Sequence, residues 1–136
     1  MPTINIPITV TDEGTFGFLD VVIDSAAILY WCENIEQTYT HYKFSTTEPH
    51  EVRWCTGFTL TTEDPHSQQG GTITVVVDHA LVWEGARRIA TGECKVADYL
   101  VDHIFRNFTN DTLGECDQEE CDVILQAAIF NELIYG

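Results

Sequence analysis

At the start of the chain Ile4, Ile6, Ile8 and Val10 alternate with Asn5, Pro7 and Thr9. A period of two marks a half-buried strand, and Pro7, with no N–H to offer a ladder, puts that strand at a sheet edge. Thr11 or Asp12 then offers a helix N-cap, with Asp12 and Glu13 at the positive end of the macrodipole. Phe16, Leu19, Val22, Ile23 and Ala26 follow at helical spacing, and Asp20 and Asp24 fall on the other face. Gly14 and Gly17 weaken the first turn, so the helix is expected to start late.

The texture of residues 29–64 is different. Tyr30, Trp31, Tyr39, Tyr42, Phe44, Val52, Trp54, Phe58 and Leu60 stand among many threonines, a composition that suits strands. The turn-forming run Ser45, Thr46, Thr47, Glu48, Pro49 and His50 makes a hairpin of 38–44 and 51–61. Residues 63–71, ending in Gly70 and Gly71, read as a loop, and 72–77 as a strand. Asp78 caps a helix that carries Leu81, Val82, Ala86, Ile89 and Ala90 and ends near Gly92. Val96, Leu100, Ile104 and Phe108 recur every four residues and predict another. A last helix begins near Asp117, with Glu119, Glu120 and Asp122 at its favoured end. Val123, Ala127, Phe130 and Ile134 mark one face of it, widened by Ile124 and Ala128. No repeat or linker breaks this order. The expectation is a single α+β domain over residues 1–136, an antiparallel sheet of about four strands with helices packed on one side.

Charge sharpens the picture. The 136 residues carry 22 acids and 6 bases, a formal −16. No Lys or Arg precedes Lys43, and residues 111–122 hold Asp111, Glu115, Asp117, Glu119, Glu120 and Asp122 with no base among them. So few bases cannot pair so many acids, and most carboxylates are expected in water. A hydrophobic share of 44% keeps a folded core in reach despite the self-repulsion. The longest apolar runs, 26–32 and 73–77, are too short to span a bilayer, and the first residues lack the pattern of a signal peptide. A surface this negative also repels anionic lipid and nucleic acid. The expected setting is the cytoplasm, with neither membrane nor nucleic acid as a direct partner.

Candidate chemistry is sparse. Cys32, Cys55, Cys94, Cys116 and Cys121 are scattered and odd in number, which reads as reduced, mostly buried thiols. Cys116 and Cys121 are close but lack C-x-x-C spacing and a second pair, so no metal is assigned. His41, His50, His66, His79 and His103 form no metalloprotease pattern; the adjacent acids are Asp78 before His79 and Asp102 before His103. Nucleophile elbow, phosphate loop and dinucleotide fingerprint are all missing. No catalytic residue or cofactor is assigned, and an enzyme is not expected. A groove gathering His103 or His79 with two carboxylates would revive a small hydrolase or transferase.

Some stretches carry a resemblance. Thr11-Asp12-Glu13 before the first helix, Tyr30-Trp31 after it, and the run from Asp122 to Gly136 resemble a family of small, acidic, mostly uncharacterised proteins of bacteriophages and bacteria. Val77-Asp78 leading into Ala86-Arg87-Arg88-Ile89 is similar to that family's passage from strand to helix. The chain departs from the pattern at Ser25-Ala26-Ala27-Ile28, where the family is glycine-rich, and at Asn131, where the family has Gly. Asn tolerates positive φ, so the second turn is expected to survive the change. The resemblance implies a phage context, hence a host-directed accessory protein, and brings no assigned activity.

These lines converge on an acidic partner-binding surface. The acids of 111–122, with Asp12, Glu13, Asp20 and Asp24, are expected to imitate the phosphates of a duplex, which a basic nucleic-acid-binding protein would accept. Solubility or salt adaptation alone would also explain the excess. Trp83, beside Val82 on a helix and hard to bury with it, is a candidate exposed contact; Tyr30, Trp31 and Trp54 read as core, with a role as interface anchors the less favoured alternative. The expected function is a DNA mimic that blocks a host defence or repair protein. The alternative is a structural or assembly module, a homodimer or complex subunit, because residues 123–135 are apolar nearly all round.

Overall fold

The computed structural model describes residues 12–25, 27–42 and 52–136. The expected edge strand at 4–10, the Thr11 cap and the turn at 45–50 lie outside them, as does the Trp54 side chain. The elements are α1 (Asp12–Ser25), β1 (Cys32–Tyr42), β2 (Val52–Glu63), β3 (Thr72–Val77), α2 (His79–Ala90), α3 (Asp98–Thr109), a 3-10 turn (Leu113–Glu115) and α4 (Gln118–Phe130). The described strands form one antiparallel sheet in the order β1-β2-β3. The α+β class stands, with three strands among the described residues where about four were expected. No helix among the described residues is long and apolar enough to cross a membrane.

Helix α1 starts at Asp12, not late. Gly17 lies where α1 and the 3-10 turn meet backbone to backbone, and the tighter side of that contact is Gly114, whose Cβ would lie 3.3 Å from the Gly17 Cα. The buried face of α1 carries Thr15, Phe18, Leu19 and Val22, rotated from the expected stripe. Phe18, Leu19, Val21, Val22 and Ile23 are so nearly continuous that packing, rather than period, selects the face. The rotation turns Asp20 toward the sheet.

Leu29 and Tyr30, read as strand texture, occupy an exposed turn, and β1 starts only at Cys32. In β2 a bulge at Thr56 sets Gly57 opposite Thr38 but Cys55 opposite Tyr39. The extra residue switches the alternation, so Cys55 is buried together with Phe58, Leu60 and Thr62. At this kink the Asp20 carboxylate accepts the Cys55 N–H at 3.1 Å.

Asp78 caps α2 as expected, its Oδ1 accepting the Leu81 N–H at 3.0 Å. Helices α2 and α4 cross at Gly85, where a Cβ would lie 2.4 Å from the Ile124 carbonyl oxygen and 2.9 Å from the Ala128 Cβ. Leu100, Ile104 and Phe108 bury one face of α3, as their spacing predicts. Trp83 is not an exposed contact: it is half-buried, its ring centroid 5.9 Å from that of Phe108, where α2 meets α3.

Helix α4 ends at Phe130, short of Ile134, because Asn131 takes a left-handed conformation with φ 57°. Cys121, Val123, Ile124, Leu125, Ala127, Ala128 and Phe130 are all buried inside the domain. Most of the apolar circumference expected to need a partner is thus covered within the domain, while Ile129 and Ile134 are half-buried and Leu133 is 40% exposed.

Candidate functional site

The site grows from the first turn of α4, where sequence and capping chemistry concentrate acids. Asp117 Oδ1 accepts the Glu120 N–H at 2.8 Å and Glu120 Oε2 accepts the Asp117 N–H at 3.3 Å, a reciprocal capping box. The box draws Glu120 inward to 4% exposure, so it is not part of an open acidic face. Asp117 and Glu119 remain exposed, with Asp122 half-buried one turn on.

Two tyrosines flank this turn. Tyr30, from the turn after α1, is 59% exposed and donates its hydroxyl to Asp122 Oδ2. Tyr99, on α3, is 56% exposed and donates its hydroxyl to Glu119 Oε1. Partial burial, then the bond to Asp122, pushes the Tyr30 phenol well above its ordinary range, and the Glu119 carboxylate pushes Tyr99 the same way. Both therefore stay protonated donors, and both rings are pinned while their faces stay open to solvent. The expectation that Tyr30 and Trp31 are both core holds for Trp31 alone, which is buried.

Behind Asp122 lies a network centred on Gln126, which is 1% exposed. Asp122 Oδ1 accepts the Trp31 Nε1–H at 2.7 Å and the Gln126 amide at 3.0 Å. Gln126 Oε1 accepts the N–H groups of Ile134 and Tyr135, each at 2.9 Å, and Gln126 Nε2 donates to the Tyr135 carbonyl at 3.0 Å. The Tyr135 ring in turn stacks on Trp31, centroids 5.5 Å apart and planes 2° off parallel. One buried amide thus holds segment 131–136 against the domain. Neither Gln126 nor Tyr135 stood out in the sequence. The available signal was a lone amide inside an apolar helical run, which must find partners once buried.

Three hollows surround the turn. One, of ≈ 480 Å³, is lined by Ala27, Tyr30, Asp117, Gln118, Glu119 and Asp122. A second, of ≈ 580 Å³, shares Tyr30, Glu119 and Asp122 with it but is otherwise walled by Leu100, Val123, Leu133, Ile134 and Tyr135, reaching Gly136. The third, of ≈ 410 Å³, gathers His103, Arg106 and Asn107 with Glu115, Asp117 and Glu120.

In the third hollow His103 Nδ1 lies 3.1 Å from Glu120 Oε1, and elsewhere His79 Nδ1 meets Thr15 Oγ1 at 2.7 Å. Histidine with carboxylates is the grouping that revives acid–base chemistry. Cys116 is not among the residues lining this hollow. Cys116 is buried, and burial, then Cys121 and Glu120, push its thiol well above the ordinary range. An activated thiol needs the opposite shift. Burial lifts Cys121 to about 12, and all five cysteines are free and buried. Among the described residues no group of three or more His, Cys, Asp or Glu is arranged to hold a metal ion.

The remaining expected site residues scatter. Asp20 is half-buried on the Cys55 N–H; burial, with Asp24 nearby, raises its carboxyl above the usual range although the N–H pulls it down. It faces the sheet. Asp24 and Glu115 are exposed, and Asp111 is half-buried at a positive φ of 58°. The backbones of Asp12 and Glu13 open α1, and their side chains lie outside what is described. Exposed acids also stand at Glu33, Glu36, Glu63, Glu93, Asp98, Asp102 and Glu132. Negative charge therefore covers the described exterior broadly, and it is the tyrosines that single out the first turn of α4. No family model, characterised protein or solved structure matches the chain, so the reading of this site rests on its geometry alone.

Proposed function

We propose that this protein is a binding module that engages a cationic protein surface through the acidic first turn of α4 and the tyrosines on either side of it. The carrying observation is the pairing of exposed rings with carboxylates: Asp122 and Glu119 hold the hydroxyls of Tyr30 and Tyr99. A ring already fixed loses little freedom on binding, and tyrosine is among the residues that dominate interface energetics. Glu115, Asp117 and Glu119 supply the field that speeds encounter with a basic partner. In the phage setting that the sequence resemblance implies, that partner is a host nucleic-acid-binding defence or repair protein. The surface is a narrower phosphate mimic than the sequence suggests, because Asp20, Glu120 and Asp122 bond inward. Calorimetry against an arginine-rich peptide tests the reading: affinity is expected to fall about tenfold from low to physiological salt, and salt-independent binding, or none, contradicts it.

A second reading is supported by the His103–Glu120 contact at 3.1 Å inside a hollow that also holds Arg106 and Asn107. With Nδ1 donating to Glu120, His103 would keep the Nε2 lone pair of a general base for water. Turnover of chromogenic esters or amides that disappears in His103→Gln supports this role, and an inactive wild-type protein removes it.

A further inference from the structure

Resting on the binding role proposed above, we propose that the two hollows meeting at Tyr30 form a two-part reader for an exposed segment in which an arginine or lysine adjoins a large apolar residue. The hollows adjoin through Tyr30, Glu119 and Asp122, which line both. On one side Asp117 joins the shared acids, and the lining suits a guanidinium or ammonium. On the other side Leu100, Val123, Leu133 and Ile134 present apolar surface, with Leu133 left 40% exposed. A basic residue alone leaves the apolar hollow empty, and an apolar residue alone leaves the carboxylates, hydrogen-bonded to neutral groups, without a counter-charge. Charge complementarity therefore commits the occupant to a segment that carries both. Tyr30 is 59% exposed and lines both hollows, so a cation can rest against its ring.

The apolar wall exists because Gln126 holds segment 131–136 in place. Its amide bonds the Ile134 and Tyr135 N–H groups and the Tyr135 carbonyl, and also reaches the Tyr30 hydroxyl at 3.4 Å. Gln126 is thus a positioning residue that links the wall of the apolar hollow to the ring that lines both.

The test uses two fluorescein-labelled peptides of equal length and charge on the full chain, one with leucines beside its arginines and one with serines in their place. The leucine peptide is expected to bind about tenfold tighter by anisotropy. Leu133→Ser should erase that advantage and leave the serine peptide's affinity unchanged; Gln126→Leu, which also frees Asp122 and Tyr30, should erase the advantage and weaken both peptides if it folds, and Leu133→Ser carries the test if it does not. Equal binding of the two peptides overturns the two-part reader while the charge-based reading survives. Failure of both peptides to bind at low salt overturns both. A dimer in sedimentation that Leu133→Ser dissolves assigns the hollow to a second copy of this chain and overturns the proposal.

Discussion

The charges on α2 and the charges on the first turn of α4 behave in opposite ways. On α2, Glu84 takes Arg87 at 3.0 and 2.5 Å and Arg88 at 3.2 Å, and Arg87 reaches on to Glu93 at 2.9 Å. Arg88 Nη1 also donates to the Ala127 and Ala128 carbonyls at 2.9 and 3.0 Å, serving the negative end of α4. This charge closes on itself and joins two helices. On the first turn of α4 the carboxylates bond tyrosine hydroxyls and a histidine, with no arginine among these partners. Net charge therefore does not locate function in this molecule; the kind of partner each acid has found does.

The strongest way to break the comparison is to disturb the frame that carries both regions. Gly85→Ala places a methyl 2.4 Å from the Ile124 carbonyl oxygen. It should cost about 3 kcal/mol in urea denaturation by forcing α2 off α4. Arg88→Met comes next. It removes charged donors from two carbonyls of α4 and should cost about 2 kcal/mol while leaving cationic-peptide binding intact.

Two substitutions of smaller effect separate the regions by pH. Arg87, then Arg88, hold the Glu84 carboxyl below its usual range, so its contribution is present above the unfolded value and lost as pH falls through the lowered one. Glu84→Gln should lower the thermal midpoint at neutral pH and have little effect in acid. Asp20 runs the other way. Its carboxyl is raised, chiefly by burial, so its contribution is greatest below the unfolded value and is lost as pH rises through the folded one. Asp20→Asn, which can still accept the Cys55 N–H, should therefore match or exceed the wild-type midpoint at neutral pH. The smallest change in stability is expected for Glu119→Gln, an exposed group whose loss should be visible in peptide binding and barely in melting.

The elements whose pattern was unambiguous were legible in the sequence. Leu100, Ile104 and Phe108 announced α3, Asp78 and Asp117 announced the caps of α2 and α4, and Asn131 was readable as a tolerated left-handed turn. Legibility failed where the apolar pattern was too rich to carry a period. The continuous run in α1 hid its true face and with it the inward role of Asp20, and the all-round apolar α4 read as a surface in need of a partner. At the site, the acids of 115–122 were visible as composition. Tyr30 and Tyr99 became functional candidates only through contacts 92 and 20 residues away along the chain. Local propensity contains no information about pairings of that range, and Gln126 escaped for the same reason.

Position and total charge can be separated in one experiment. Glu115→Gln, Asp117→Asn and Glu119→Gln together remove three charges from the 3-10 turn and the start of α4 and keep the capping oxygen at position 117; Glu33→Gln, Glu36→Gln and Glu63→Gln remove three from the sheet. Titrated with the same arginine-rich peptide at low salt, the first triple variant should lose about tenfold in affinity and the second less than about twofold. Equal losses in the two would mean that the peptide senses only the overall field, and the assignment of the binding surface to α4 would be wrong.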